Sequence, residues 1–329
     1  MEGLSEAQVA VYDRQLRVWG KDTQQRLAAA KILIVGCSGV GAEIAKNVAL
    51  AGVGSVTLLD DATCGEGDPG NFLVPDSAEP TARVSEVSAS TLRDMNPLID
   101  VSVVGGDVAG VDLEGFAVAV AAALPLASVA ALDERCRAEG VAFFAADCRA
   151  WLGWAFADLG ERSWNDEREI QERGETHKVA TEASTSYPSW TAALAADLSG
   201  RNLRRTHPAY FLLRGAAGSK EKPGERSGPL VAFESEAARV ASSADAEALV
   251  KRGEVLCGEL GLPEGLPIAS DARAYLQHPL GLPAVAAVLG GVVSNDVLKA
   301  ISGKGEVIDN FFFFSAADGA GIVERFGKP

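Results

Sequence analysis

Short apolar runs alternate along the first half of the chain with stretches in which apolar residues recur at helical spacing. Lys31–Val35 is an apolar run of the kind a strand buried on both faces requires. From Gly41, the residues Ala42, Ile44, Ala45, Val48, Ala49 and Leu50 trace a helix that Gly52 ends. Ser55–Leu59 reads as the next strand and closes on Asp60 and Asp61. Thr81–Met95 predicts a helix stopped by Asn96-Pro97, followed by a strand over Ile99–Val104. Ala117–Ala123 predicts a strand, Val129–Ala138 a helix and Val141–Ala145 a further strand. Such alternation implies an α/β fold with a doubly wound, mostly parallel Rossmann-like sheet. Ahead of it, Val9, Tyr12, Leu16 and Trp19 predict one amphipathic helical lead-in over Glu6–Arg26.

The pattern changes after Gly160. The stretch from Glu161 to about Ser189 is charged and polar without apolar periodicity, so a mobile surface insertion is expected there. Order is expected to return near Ala192 and to continue into the apolar Tyr210–Leu213. Lys220–Gly228 reads as an exposed loop and Leu282–Ile301 as an apolar helix containing Gly290-Gly291. Glycine costs a helix roughly 1 kcal/mol per residue, so that pair implies close backbone packing, within the fold or at a dimer face. Phe311–Phe314 predicts a strand buried on both faces, and Gly321–Arg325 a final strand. The expected division is a lead-in and nucleotide-binding-like half over 1–160, a flexible polar insertion over 161–191, and the second half of the same domain over 192–329.

Composition narrows the function. A net charge of −15 over 329 residues argues against nucleic acid or an anionic membrane as the main partner. The five cysteines are scattered and form no CxxC pair, which fits reduced intracellular thiols and no zinc site. The acidic start and the absence of an apolar run of about 18 residues point to a soluble protein of nucleus and cytoplasm.

The candidate chemistry sits at the first strand. In Gly36-Cys37-Ser38-Gly39-Val40-Gly41, Gly36 permits a tight turn, Gly39 close approach to a phosphate, and Gly41 tight helix–strand packing. Asp60 stands where a ribose-binding carboxylate belongs. The same glycines would equally serve strand–helix packing alone. Upstream, Arg14 and Arg17 lie outside the strand–turn–helix unit. One reading sends an arginine across to a neighbouring subunit as a trans-acting cation; the other pairs both with Asp13 or Glu6 on a solvated helix.

Tyr12-Asp13-Arg14-Gln15-Leu16-Arg17-Val18-Trp19-Gly20, the GxxGxG turn and Asp60 together resemble the ubiquitin-like-protein activating enzymes and their bacterial ThiF and MoeB relatives. Pro283–Gly291 and Asn310–Glu324 narrow the resemblance to the smaller, non-catalytic subunits of heterodimeric SUMO-activating enzymes. The resemblance implies a partnership with a larger catalytic homologue that binds ATP and Mg²⁺, adenylates the C-terminal glycine of SUMO and takes it as a thioester. Transfer to a SUMO-conjugating enzyme would follow. In that scheme this chain contributes Arg14 toward the γ-phosphate in the partner's site, while Gly36, Gly39, Gly41 and Asp60 form a degenerate nucleotide site.

Departures from the active members carry that assignment. Where they have an asparagine and an arginine after the ribose-binding aspartate, this chain reads Asp68-Pro69-Gly70-Asn71-Phe72-Leu73. Ser85 stands at or beside their phosphate-neutralising lysine, and Ala121-Ala122-Ala123-Leu124 stands where a magnesium-holding aspartate is expected. No cysteine occurs between Gly160 and Leu256 to carry a thioester, and Cys148 reads as a strand-end packing thiol. His177, His207 and His278 make no ligand pattern. Isolated, the chain is expected to be inactive and to hold no tightly bound cofactor. The competing classes are an active homodimeric adenylyltransferase of the ThiF/MoeB type and a non-enzymatic Rossmann-like binding module.

Overall fold

The computed structural model describes residues 4–65, 70–172, 175–217 and 281–327, together with Lys251, Gly258 and Tyr275. Its strands in chain order are β1 (Lys31–Val35), β2 (Ser55–Leu59), β3 (Asp100–Val104), β4 (Val118–Ala122), β5 (Ala142–Arg149), β6 (Leu152–Asp158), β7 (Glu161–Glu172), β8 (Glu175–Ser186), β9 (Phe311–Ser315) and β10 (Ala320–Glu324). Eight of them form one sheet in the order β10-β9-β6-β5-β4-β1-β2-β3. The β1-to-β5 part is parallel, and β6, β9 and β10 run antiparallel. The expected parallel core is therefore extended by an antiparallel flank.

Side-chain alternation divides the core between the two faces of the sheet. Ile32, Ile34, Val56, Leu58, Val120 and Phe144 join a cluster with α4 (Gly39–Leu50), α5 (Val84–Met95) and the C-terminal helix α9 (Pro283–Ser302). Their strand neighbours Leu33, Val35, Ala119, Ala121, Phe143 and Ala145 meet α6 (Leu126–Glu139), α7 (Trp190–Leu194) and α8 (Pro208–Ala217). Helices on both faces explain why these strands carry continuous apolar runs. Phe311–Phe314 behaves likewise. Phe311 and Phe313 stack at 5.5 Å on the side of Trp190 and Tyr210, while Phe312 joins the opposite cluster.

Several expectations are corrected. The lead-in is three helices rather than one: α1 (Glu6–Val11), α2 (Asp13–Trp19) and α3 (Lys21–Ala29). The chain breaks at Tyr12, which is buried, and at Gly20, whose φ of +84° belongs to glycine. The helix expected from Thr81 begins at Val84, because Arg83 is still extended at its N-cap. The polar stretch from Glu161, expected as a surface insertion with no predicted element, forms a hairpin, with β7 and β8 paired antiparallel from Glu161↔Ser186 to Glu172↔Glu175. Backbone pairing needs no apolar face, so a polar sequence hid it. The Lys220–Gly228 loop lies outside the described residues.

Helix α9 is long and apolar enough to cross a membrane by length and composition. Val285, Leu289, Val293 and Val297 are instead fully buried against α4 and the sheet, so one face of this helix packs into the core of the fold. Its two glycines differ. A Cβ at Gly290 would collide with the Cβ of Glu43 on α4, whereas one at Gly291 would meet nothing within 4 Å.

Candidate functional site: the glycine turn and the arginine arm

The turn between β1 and α4 is built by steric necessity. Gly36 has φ +95°, and a Cβ there would strike the carbonyl oxygen of Ala122 on β4. A Cβ at Gly41 would strike the carbonyl oxygen of Gly36, and one at Gly39 would sit 3.0 Å from the carbonyl oxygen of Gly70. Ser38 caps α4 by accepting a hydrogen bond from Gly41 N at 3.2 Å. Each glycine thus answers to a contact within the chain, and the interior behind the turn leaves no water-sized space.

Asp60 braces this turn. Its Oδ2 accepts a hydrogen bond from Cys37 N at 2.6 Å, and its Oδ1 accepts from Ala62 N at 2.9 Å. Asn71, 3% exposed, reaches over from the following loop; its Nδ2 donates to Cys37 O at 2.9 Å and to Ser88 Oγ at 3.0 Å, and its Oδ1 accepts from Leu73 N. Ser85 is fully buried, and its hydroxyl donates to Asp60 O at 2.6 Å, tying the first turn of α5 to the end of β2. Both polar residues at the departed positions are therefore consumed in holding the turn's own backbone.

Among the described residues, those that follow β4 do not fit a magnesium ion. Ala123 and Leu124 follow β4 with methyl and isobutyl groups, which offer no lone pair to a hard cation. Ala123 adopts φ +56° and donates its N–H to Ala146 O, so its backbone N–H is taken up by β5. Arg83, the residue before α5, faces Asp61 at 3.6 Å. No group of three or more potential metal ligands occurs among the described residues.

Cys148 lies within β5 rather than after it, and is 9% exposed. A buried network that no local spacing announced surrounds it: Trp154 Nε1 donates to Tyr275 OH, which donates to Asp147 Oδ2, each at 2.8 Å. Arg149 Nε reaches the same carboxylate oxygen at 3.2 Å. Tyr275 is 128 residues from Asp147, so only the fold brings them together. Cys37 is also buried, and burial followed by the charge of Asp60 pushes its thiol well above the usual range.

The two arginines of the arm part company. Arg17 pairs with Asp13 at 2.8 Å across one turn of α2, both side chains well exposed. Arg14 is exposed, and among the described residues it forms no hydrogen bond or ion pair. The arm itself is anchored by Tyr12, whose hydroxyl accepts from Asn96 Nδ2 at 2.9 Å, and by Gln15, whose Nε2 donates to Leu50 O at 3.3 Å. The backbone is held while the guanidinium of Arg14 stays open.

A mainly parallel sheet flanked by helices on both faces, with a glycine turn opening into a helix after β1 and an acid after β2, is a nucleotide-binding-type α/β architecture. The model of the ThiF family matches residues 12–326, and the chain belongs to that family. It is 35% identical over 329 residues to SUMO-activating enzyme subunit 1B-1 of Arabidopsis thaliana, covering 98% of this chain and 97% of that protein. It is 31% identical over 354 residues to SUMO-activating enzyme subunit 1 of Homo sapiens, covering 99% and 97% respectively. Among solved structures, E. coli MccB with MccA-N7isoASN aligns with a TM-score of 0.56 at 13% identity, over 99% of this chain and 73% of that one. That likeness speaks for the fold alone.

Proposed function

We propose that this chain is the smaller, non-catalytic subunit of a SUMO-activating enzyme in the protein sumoylation pathway. Similarity along nearly the whole chain to proteins named as subunit 1 of that enzyme carries the reading. A turn whose backbone is held by the side chains of Asp60 and Asn71, and an open arginine, support the division of labour. The catalytic homologue binds ATP and Mg²⁺, adenylates the C-terminal glycine of SUMO, and supplies the thiol that then takes it toward a SUMO-conjugating enzyme. This chain supplies Arg14 in trans at the γ-phosphate, where a fixed guanidinium offsets developing negative charge without reorganising. Gly36, Gly39, Gly41 and Asp60 serve as a vestigial nucleotide turn whose work is structural. The assembly works in nucleus and cytoplasm.

The test is SUMO-dependent ATP–pyrophosphate exchange by the chain alone, by a larger ThiF-family homologue alone, and by the two together. Exchange is expected only from the pair. Exchange by the isolated chain would instead make it a homodimeric adenylyltransferase, and assembly without any exchange would make it a binding module.

A further inference from the structure

Two carboxylates meet in the interior beneath the root of the hairpin. Asp133 lies on α6 and Asp158 ends β6, and they are 1% and 3% exposed. Asp133 Oδ2 accepts a hydrogen bond from Trp190 N, at the start of α7, at 2.7 Å. Asp158 Oδ1 accepts from Gly160 N at 2.8 Å, and its other oxygen pairs with Arg137 Nη1. Arg137 Nη2 donates in turn to Tyr187 O at 2.9 Å, and Tyr187 N donates to Gly160 O at 2.7 Å. The pair therefore joins α6, the end of β6, the start of α7, and the chain both entering and leaving β7–β8.

The charges around this pair do not balance if both acids are ionised. Among the described residues Arg137 is the cation paired at this site, through Asp158, and one guanidinium offsets one negative charge. Arg135, also on α6, donates instead to the carbonyls of Val108 and Val111. Cys136 lies beside Asp133 on the same helix, and Glu139, near Cys136, is exposed. The Cys136 thiol, pushed up to about 12 by burial and then by Asp133, stays neutral. Tyr187 turns its hydroxyl away, donating to Val307 O at 3.3 Å. Asp133 Oδ1 is buried with no hydrogen-bond partner, which is costly for an anion. A proton there becomes a donor facing the neighbouring carboxylate. Burial first, and the charge of Asp158 second, push Asp133 up to about 8 against the opposing pull of Trp190 N and Arg137.

We propose that Asp133 and Asp158 share one proton at neutral pH and that this proton latches the root of the β7–β8 hairpin to α6. Its loss in mildly alkaline solution leaves two like charges side by side over a single guanidinium and frees Gly160 and Tyr187 to open. The sign follows from a folded-state affinity for the proton above that of the unfolded chain. The stabilisation is complete below the ordinary carboxylate range and is drawn down as pH rises toward about 8. The native root itself changes on passing about 8.

Infrared spectroscopy of the full-length chain tests the shared proton, and amide hydrogen exchange at Gly160 and Tyr187 tests the latch. A protonated carboxyl band is expected at pH 7, titrating near pH 8 and missing in Asp133→Asn. Protection of the two amides, corrected for intrinsic base catalysis, should fall at least tenfold across the same midpoint in the wild type. It should hold in Asp133→Asn, whose amide group donates where the proton did. No protonated carboxyl at pH 7, or a band that titrates without any loss of protection, overturns the proposal. Should the variant fail to fold, the two wild-type midpoints decide by whether they coincide.

Discussion

Tyr12 lies over Gly52 so closely that a Cβ on the glycine would collide with the phenol ring. The contact joins the arginine arm to the end of α4, where Gly52 takes φ +81°. Asn96 completes it by donating one amide group to both Tyr12 OH at 2.9 Å and Ala49 O at 2.6 Å. Tyr12→Ala should cost roughly 3–5 kcal/mol, the range for truncating a buried aromatic. Tyr12→Phe keeps the ring and removes one hydrogen bond, leaving Asn96 satisfied by Ala49, and should cost about 1 kcal/mol. Urea unfolding midpoints at constant m-value check both, and equal losses would mean that the ring's packing is not what holds the arm.

Arg14 and Arg17 are separable by experiment. Arg14→Ala should slow SUMO-dependent ATP–pyrophosphate exchange of the assembled pair by roughly 10²–10³-fold, the loss typical of one transition-state donor, without preventing assembly. Arg17→Ala breaks only an exposed ion pair with Asp13 and should shift stability by less than about 0.5 kcal/mol. Size-exclusion chromatography together with exchange rates distinguishes them; an Arg14→Ala pair that exchanges normally removes the trans role.

The neighbouring glycines of α9 should respond with opposite signs. Gly291→Ala meets open space and recovers helix propensity, stabilising the isolated chain by about 1 kcal/mol. Gly290→Ala drives a methyl into Glu43 and separates α9 from α4, which should destabilise by roughly 1–3 kcal/mol. Thermal unfolding of the two variants measures the contrast.

His207 gives the fold an acid-sensitive joint. Its ring stacks on Phe313 at 5.0 Å, and its Nδ1 accepts from Ala209 N at 3.2 Å. Burial holds the imidazole down to about 4, against a weaker opposing pull from Asp318. The unfolded chain therefore binds a proton that the folded chain refuses, and stability should fall as pH drops from about 6.5 toward about 4. His207→Gln should flatten that part of the pH–stability profile in urea titrations. An unchanged slope would place the acid sensitivity elsewhere.

Most of the sheet could be read along the chain because β1, β2, β4 and β5 are covered on both sides and are mainly apolar. β6 could not, although all seven of its residues are buried. Only two residues separate it from β5, and Gly153 breaks its apolar run for a distant reason: a Cβ there would lie 2.5 Å from Leu289 Cδ1 on α9. At the candidate site, Gly36, Gly39, Gly41 and Asp60 were identifiable from spacing. Their service to Ala122, Gly70 and Cys37 was not, since those contacts depend on how β4 and the loop through Asn71 fold back.

By itself the sequence determined the layer order, the parallel core and the family, because strand and helix periods and a compact motif are local properties of the chain. Tertiary structure alone decided that Arg17 is paired while Arg14 stands open, that Asp60 braces its own turn, and that Asp133 meets Asp158. Each of those outcomes depends on distances between residues far apart or differently oriented in space, which hydrophobic periodicity does not encode.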